Sequence, residues 1–435
     1  MSAPVTAHVA GFALTRPFTR GWLMAFAATF ALVMVLAWAI AVLFARGVGV
    51  WGVQIPVAWG FAITNFVWWI GIGHAGTLIS AILVLARQRW RTSVSRLAET
   101  MTLFAVACAA LFPVLHLGRP QYFYWLFPYP STMGVWPQFR SPLVWDFFAV
   151  STYAIVSLLF WYTSLLPDLA TLRDRAPTRP QRVLYGLLAL GWHGSAAAWR
   201  RFEDASLLLA ALATPLVVSV HSVVSLDFAV GIVPGWHSTI FPPYFVAGAL
   251  FSGFAMVLTL VIPLRRVFAL QPWITDRHLD IMSQLMLASG LIVAYGYAME
   301  GFLGWLGGDP FERGMLFDRL HGAYAVATIV TLLCNVALPQ LLWWPRVRRS
   351  VPALFALGLA VNLGMWLERF VIVVQSLSHG FVPSAWRRFT PTVWDWATLA
   401  GSLGLFVFLM VVFVRVLPML SMHELRAQRD AGAPA

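Results

Sequence analysis

The chain has 435 residues, of which 60% are apolar and only 11% charged, and a mean hydropathy of +0.77; these values exclude a soluble globular protein and define an integral membrane protein. All 29 basic residues are arginine, and they sit in short loops between apolar spans, so the net charge of +12 reads as membrane topology and not as a nucleic-acid surface. Cys108 and Cys334 lie far apart inside apolar segments with no CxxC or CxxCH spacing, so the chain by itself ligates no iron–sulfur cluster, attaches no haem c and offers no metal-ligand set.

Ten apolar stretches of about 20 residues or more predict ten transmembrane helices, at roughly 22–45, 57–86, 97–116, 142–166, 205–230, 243–264, 281–303, 320–344, 352–376 and 393–418. The first follows Arg16 and Arg20 like a signal peptide, but its apolar run exceeds the usual h-region, so it is kept as a span. The expected organisation is an N-terminal segment 1–21, an all-α membrane domain 22–418 and a tail 419–435. Loops on the side of the termini hold 21 arginines against 7 on the other side, with Arg369 inside a helix. The positive-inside rule then puts both termini in the cytoplasm and the 117–141 loop in the periplasm of a bacterium with two membranes, the chain crossing the inner membrane.

The longest cytoplasmic connection, 167–204, ends in a Trp- and Arg-rich half with Trp192, Trp199, Arg200 and Arg201 that reads as an interfacial amphipathic helix. Two outer loops, HLGRPQYFYWLFPYPSTMGVWPQFRSPLVWD from His116 to Asp146 and GIVPGWHSTIFPPY, are rich in aromatics and proline and nearly free of charge. That composition suits a surface covered by another subunit; aromatic anchoring at the headgroup level explains it equally well.

Ionisable groups inside spans are costly and need a partner or a task. Asp146, Asp227, Glu300, His321, Glu368, Arg369 and Asp395 all fall on the outer half, with His116 closing the third span on that side, while His74 sits near mid-span and His221 about one and a half turns deeper than Asp227. A polar layer confined to one side argues against a transporter, which needs polar groups through to both faces, and for a site reached laterally from lipid by an amphipathic carrier such as a quinone. Oxidising a quinol releases two electrons and two protons. His116 and Asp146 are the candidate proton acceptors, since imidazole and a desolvated carboxyl both titrate near neutrality.

Each assignment has a plainer counterpart. His116 before GRP can simply terminate its helix, whereas Asp146 lies a turn inside Pro142, too deep for an N-cap. Glu368 and Arg369 point about 100° apart on a helix, so separate partners are expected for them. His74, among Gly71, Gly73 and Gly76, suits a packing role at a close helix contact, and His74 with His221 is also a candidate bis-histidine ligand pair for a b-type haem.

The strings NFVWWIGIGHAGTLISA, HLGRP, FRSPLVWDFFAVSTY, ATPLVVSVHSVVSLDFAVG, PGWHSTIFPPYFVAGALFSGFAMVLTL and LGMWLERF resemble the NrfD/PsrC-like family of polysulfide reductase membrane subunits, and within it the quinol-oxidising ActC subunit of bacterial alternative complex III. The resemblance implies two four-helix bundles with two flanking helices, no cofactor bound in the chain, and a site for menaquinol or ubiquinol near the periplasmic face beneath an iron–sulfur subunit. On that resemblance the catalytic His and Asp fall on His116 and Asp146 and a further Asp on Asp227. Arg119 is expected to help order the site, and His74 and His221 complete the candidate quinol-binding set. Glu300, His321, Glu368 and Arg369 are the expected proton route. The implied partners are a second homologous membrane subunit, multihaem and monohaem cytochromes c, small membrane subunits and a terminal oxidase, with iron–sulfur clusters and haem c all held outside this chain. Two other readings stand beside this one: a quinone-reducing membrane anchor of a periplasmic molybdoenzyme, and a carrier or channel without redox chemistry.

Overall fold

The computed structural model describes residues 5–126 and 139–430. The middle of the aromatic loop, residues 127–138, lies outside the described residues, and with it most of the roof expected over the pocket. Fourteen helices organise the described chain. A short apolar helix α1 (Val5–Leu14) precedes α2 (Arg20–Arg46), α3 (Phe61–Leu85), α4 (Ser95–Leu115), α5 (Pro142–Arg175), α6 (Arg179–Leu188), α7 (Ala196–Ala229), α8 (Phe241–Val267), α9 (Asp276–Leu306) and α10 (Pro310–His321). Then come α11 (Ala325–Trp343), α12 (Val351–Ser378), α13 (Val393–Val416) and α14 (Met422–Asp430). Ten of these are long and apolar enough to cross a membrane, and the described residues contain no strand. The protein is a multi-pass, all-α membrane protein, as expected.

Lipid offers no hydrogen bonds, so helices are the form in which these apolar runs satisfy their own backbone. Their ends are marked by polar caps: Thr19 accepts from the Trp22 amide at 3.2 Å, Ser195 from Ala198 at 3.2 Å and Asp309 from Phe311 at 2.8 Å. Helices α3, α4, α5 and α7 pack together, as do α8, α9, α11 and α12, and α2 pairs with α13 alongside. The two groups meet where α3 lies against α8. There a side chain on Gly253 would stand 1.7 Å from the Ala75 Cβ, so only glycine fits.

Three expectations need correction. The connection 167–204 is mostly helix: α5 runs straight through Pro167 to Arg175, because Asp168 one residue later is fully buried in a polar cluster that holds the helix in place. Trp199, Arg200 and Arg201 belong to the first turns of the 34-residue α7; the interfacial helix is α6, which plants Tyr185 in the core (Oη to Val416 O, 2.9 Å) and leaves Val183, Leu184 and Leu187 exposed along one edge. His321 does not open a span. It ends the separate short helix α10, exposed, its ring stacked 4.2 Å from that of Phe317.

The α3–α4 seam is the tightest contact of the first bundle. An added Cβ on Gly76 would lie 2.1 Å from the Ala98 carbonyl oxygen, and one on Gly73 would lie 2.9 Å from Val106 Cγ2. Gly76→Ala is therefore expected to lower stability by about 1–3 kcal/mol through overpacking. Thermal denaturation of the detergent-purified protein checks this, with Gly301→Ala, where nothing lies within 4 Å, as the neutral control.

Candidate functional site

A cavity of about 250 Å³ opens at the end of the first bundle where α4 meets the aromatic loop, between α3, α4, α5 and α7. Ile63, Phe66, Val114, Leu143, Phe147 and Val150 give it apolar walls, and Phe123 from the described start of the aromatic loop closes one edge. His116, Asp146 and Asp227 supply its titratable groups. The first two arrive from either side of the loop and the third from the end of α7, so the fold gathers residues more than a hundred positions apart.

Asp146 stands one turn into α5, behind the Ser141 cap and Pro142, and is 6% exposed; Asp227 is 9% exposed. Both carboxyls line the cavity, close to one another. Among the described residues neither oxygen of Asp146, nor Oδ1 of Asp227, receives a donor. Two carboxyls can bond to each other only by holding a proton between them, so the pair is built to take one up. His116 caps α4, with Nδ1 3.2 Å from the Phe112 carbonyl. Nδ1 must carry the hydrogen to make that bond, which leaves Nε2 as a free base. Burial holds the His116 imidazole below its ordinary 6.5, partly offset by the Phe112 carbonyl, so it is neutral at neutral pH.

Arg119 is exposed, does not line the cavity, and makes no ion pair with Asp146 or Asp227 among the described residues. His74 and His221 lie deeper and are fully buried, with Nδ1 to Nδ1 at 3.0 Å and the His74 ring 4.4 Å from that of Tyr153. The two imidazoles touch, and no macrocycle fits between rings in contact, so the pair does not suit a bis-histidine haem.

The polar groups are not confined to the outer half, contrary to expectation. Asp146, Tyr153, Ser157, Ser164 and Asp168 fall within about 60° on one face of α5, over a rise of about 33 Å, the thickness of a bilayer core. Thr77 donates to Ser157 at 3.1 Å, Tyr153 to the Gly73 carbonyl at 2.7 Å, and Ser164 to Glu99 at 3.1 Å. At the far end the Arg96 guanidinium meets Asp168 at 3.1 Å, and Asp168 also accepts from the Met422 and His423 amides of α14. Glu99 and Arg96 face a cavity of about 870 Å³ on that side, shared with Arg91, Trp199, Glu203 and Glu424. Sequence reading missed Glu99 and Asp168 because both sit at the ends of apolar windows, where a carboxylate reads as loop; the i, i+7, i+11, i+18, i+22 polar spacing along α5 was the available signal.

Of the remaining expected residues, Glu300, Glu368 and Arg369 gather in the second bundle, and His321 does not join them. Glu368 and Arg369 do pair with each other, at 3.0 Å, despite their sequence adjacency. The long side chains swing across their own helix because Tyr244 and Tyr297 hold Glu368 in place, at 2.5 and 2.8 Å, while the Phe245 ring carries the Arg369 guanidinium 4.0 Å above it.

The sequence profile of the family described as polysulphide reductase, NrfD, matches residues 49–379, and the chain belongs to that family. It is 26% identical over 428 residues to a Halobacterium salinarum protein provisionally named as a dimethyl sulfoxide reductase membrane subunit, covering 87% of this chain and 90% of that one. It is 23% identical over 394 residues to a selenate reductase subunit from Mesobacillus selenatarsenatis, covering 84% and 87%.

Proposed function

We propose that this chain is the quinol-oxidising membrane subunit of a reductase complex, taking a quinol head group into the Asp146 pocket and delivering two electrons to a partner subunit on the same side. The observation that carries this reading is the pocket itself, an apolar cavity of head-group size lined by His116 and by buried carboxyls, with both oxygens of Asp146 and Oδ1 of Asp227 receiving no donor among the described residues. A quinol brings two O–H donors to such a site. As it becomes a quinone, one proton passes to the Asp146–Asp227 pair and one to His116, while the electrons leave for a redox centre of the partner, because two isolated cysteines cannot hold a cluster here.

The relatives support the reductase-anchor reading over the alternative complex III reading with its cytochromes c, since both are named as reductase subunits. The direction follows from chemistry. A complex that reduces an external acceptor needs electrons supplied, so quinol is consumed at its membrane anchor; this is the reverse of the quinone reduction expected of an anchor in the alternative reading. Placement in the cytoplasmic membrane with both termini inside rests on the 21-to-7 arginine asymmetry.

Proton exchange with the cytoplasmic side has a natural line in the polar face of α5. From Asp146 it passes Tyr153 with His74 and His221, then Ser157, Ser164 and Glu99, to the large cavity at the opposite end. Glu300, Glu368 and Arg369 form a second polar group, confined to the outer half.

Two measurements test the reading. In the assembled complex, Asp146→Asn and His116→Gln are each expected to lower quinol:acceptor turnover about 10²–10⁴-fold with assembly intact; unchanged turnover rejects the assignment. A base held below its ordinary 6.5 loses activity only as pH falls through that lowered value, so wild-type turnover should show an acid limb lying below 6.5 that vanishes in His116→Gln. In proteoliposomes, Glu99→Gln should suppress proton exchange with the cytoplasmic side while leaving turnover with an uncoupler near the wild-type rate.

A further inference from the structure

A second cavity of about 200 Å³ lies in the other bundle, among α8, α9, α10, α11 and α12. Its apolar part is Leu316, Leu320, Leu332, Val371 and Ile372; its polar part centres on Arg319. Each carboxylate there has a cation beside it: Glu368 has both tyrosine hydroxyls and Arg369, and Glu300 Oε1 is ion-paired with Arg319 Nη1 at 2.8 Å without hydrogen-bond alignment. Of the groups lining the cleft, those left buried without a hydrogen-bond partner among the described residues are three donors, Arg319 Nε and Nη2 and the Thr328 hydroxyl, against one acceptor, Glu300 Oε1.

Nε and Nη2 form one edge of the guanidinium, the edge that grips two acceptor lone pairs side by side. Leaving such donors dry is costly, so an occupant with acceptors is favoured. The charge balance narrows its class. Two guanidiniums face two carboxylates, so an anion would add an unpaired buried charge, whereas a neutral group would not. The cavity matches the Asp146 pocket in size, room for a head group and not for a whole amphiphile. Leu320 and Leu332 are 49% and 39% exposed at its rim, giving a tail an exit into lipid. Trp305, Leu306 and Phe317 are exposed nearby, the composition of a membrane interface. Two π-helical turns flank the cleft, Leu333–Ala337 directly after Leu332, and Val371–Gln375 carrying two of its wall residues; such turns are frequent at functional sites.

We propose that this cleft is a second binding site, for a neutral membrane amphiphile with carbonyl acceptors, held by the Nε/Nη2 edge of Arg319. A quinone head group and the ester carbonyls of a lipid share that chemistry, and the proposal stands independently of the Asp146 pocket.

The test uses the full-length protein in nanodiscs of ether-linked lipid, which lacks ester carbonyls, loaded with menaquinone-4 or ubiquinone-2, counting quinone retained per chain. Leu332→Trp fills the cleft without touching a charge, and Arg319→Met removes the donors; Ala110→Trp fills the Asp146 pocket. Wild type is expected to retain two equivalents, and Leu332→Trp, Arg319→Met and Ala110→Trp one each. If the cleft takes a lipid ester, quinone retention in ether lipid does not respond to Leu332→Trp, but ester lipid carried through delipidation is lost in that variant. If neither quinone nor ester lipid responds to Leu332→Trp, water alone occupies the cleft and the proposal is overturned. If Ala110→Trp leaves quinone binding intact while Leu332→Trp removes it, the Asp146 reading falls and the cleft remains.

Discussion

The structure depends on the constraint that lipid cannot satisfy a polar group, and α3 is where the chain meets it. Residues 61–81 of this helix are buried without a break. From that single helix, Asn65 accepts from Trp366 of α12 at 2.8 Å, Trp69 donates to Ser402 of α13 at 3.0 Å, His74 meets His221 of α7, Thr77 donates to Ser157 of α5, and Ser80 reaches the Ser95 carbonyl of α4 at 3.3 Å. Each bond ties a different neighbour to one axis. In water each would contribute about 1 kcal/mol net, but a polar atom buried without a partner loses its full solvation, so these bonds fix which helix faces which. The glycines on the same helix let the neighbours come close enough to make them.

Against that background, polar groups with and without partners separate by task. Asp168 accepts from a guanidinium and two backbone amides, and so ties α4, α5 and α14 together at one end of the bundle. Asp146, twenty-two residues away on the same face of the same helix, accepts nothing from the described residues. The two aspartates have the same chemistry and comparable burial. The difference is that Asp168 closes a structural junction while Asp146 lines a cavity with room for something to bring donors.

The sequence made the span count, the fold class and the gathering of His116 with Asp146 legible, because apolar length and the cost of an intramembrane charge are both local properties. Asp227 joined them at the pocket as expected. What it hid depends on tertiary packing. Arginines counted for topology could not be told from Arg319, which folds back beneath α10 to pair with Glu300. Tyr244 and Tyr297 carry no charge at neutral pH and so drew no notice, yet they hold Glu368. Helix ends were the weakest point, since Pro167 suggested a stop to α5 that the buried Asp168 cluster overrode.

The two bundles reach the same arrangement with opposite signs. Each buries carboxyl groups beside a mostly apolar cavity of head-group size. In the first the carboxyls have no donors, so the cavity has acceptors to spare. In the second, tyrosines and arginines stand against the carboxylates, and among the described lining groups the unpartnered donors outnumber the one unpartnered acceptor. A reduced head group presents two O–H donors and an oxidised one presents two carbonyl acceptors. On the two proposals the first cavity, while its carboxyls are unprotonated, is thus complementary to a quinol and the second to a carbonyl-bearing group such as a quinone. On the proposed reaction the protons left on the Asp146–Asp227 pair and on His116 turn the first pocket's acceptors into donors, so it keeps hold of the quinone until those protons leave. On that reading, deprotonation of the pocket is the step that loosens the quinone and restores the acceptors that a fresh quinol needs.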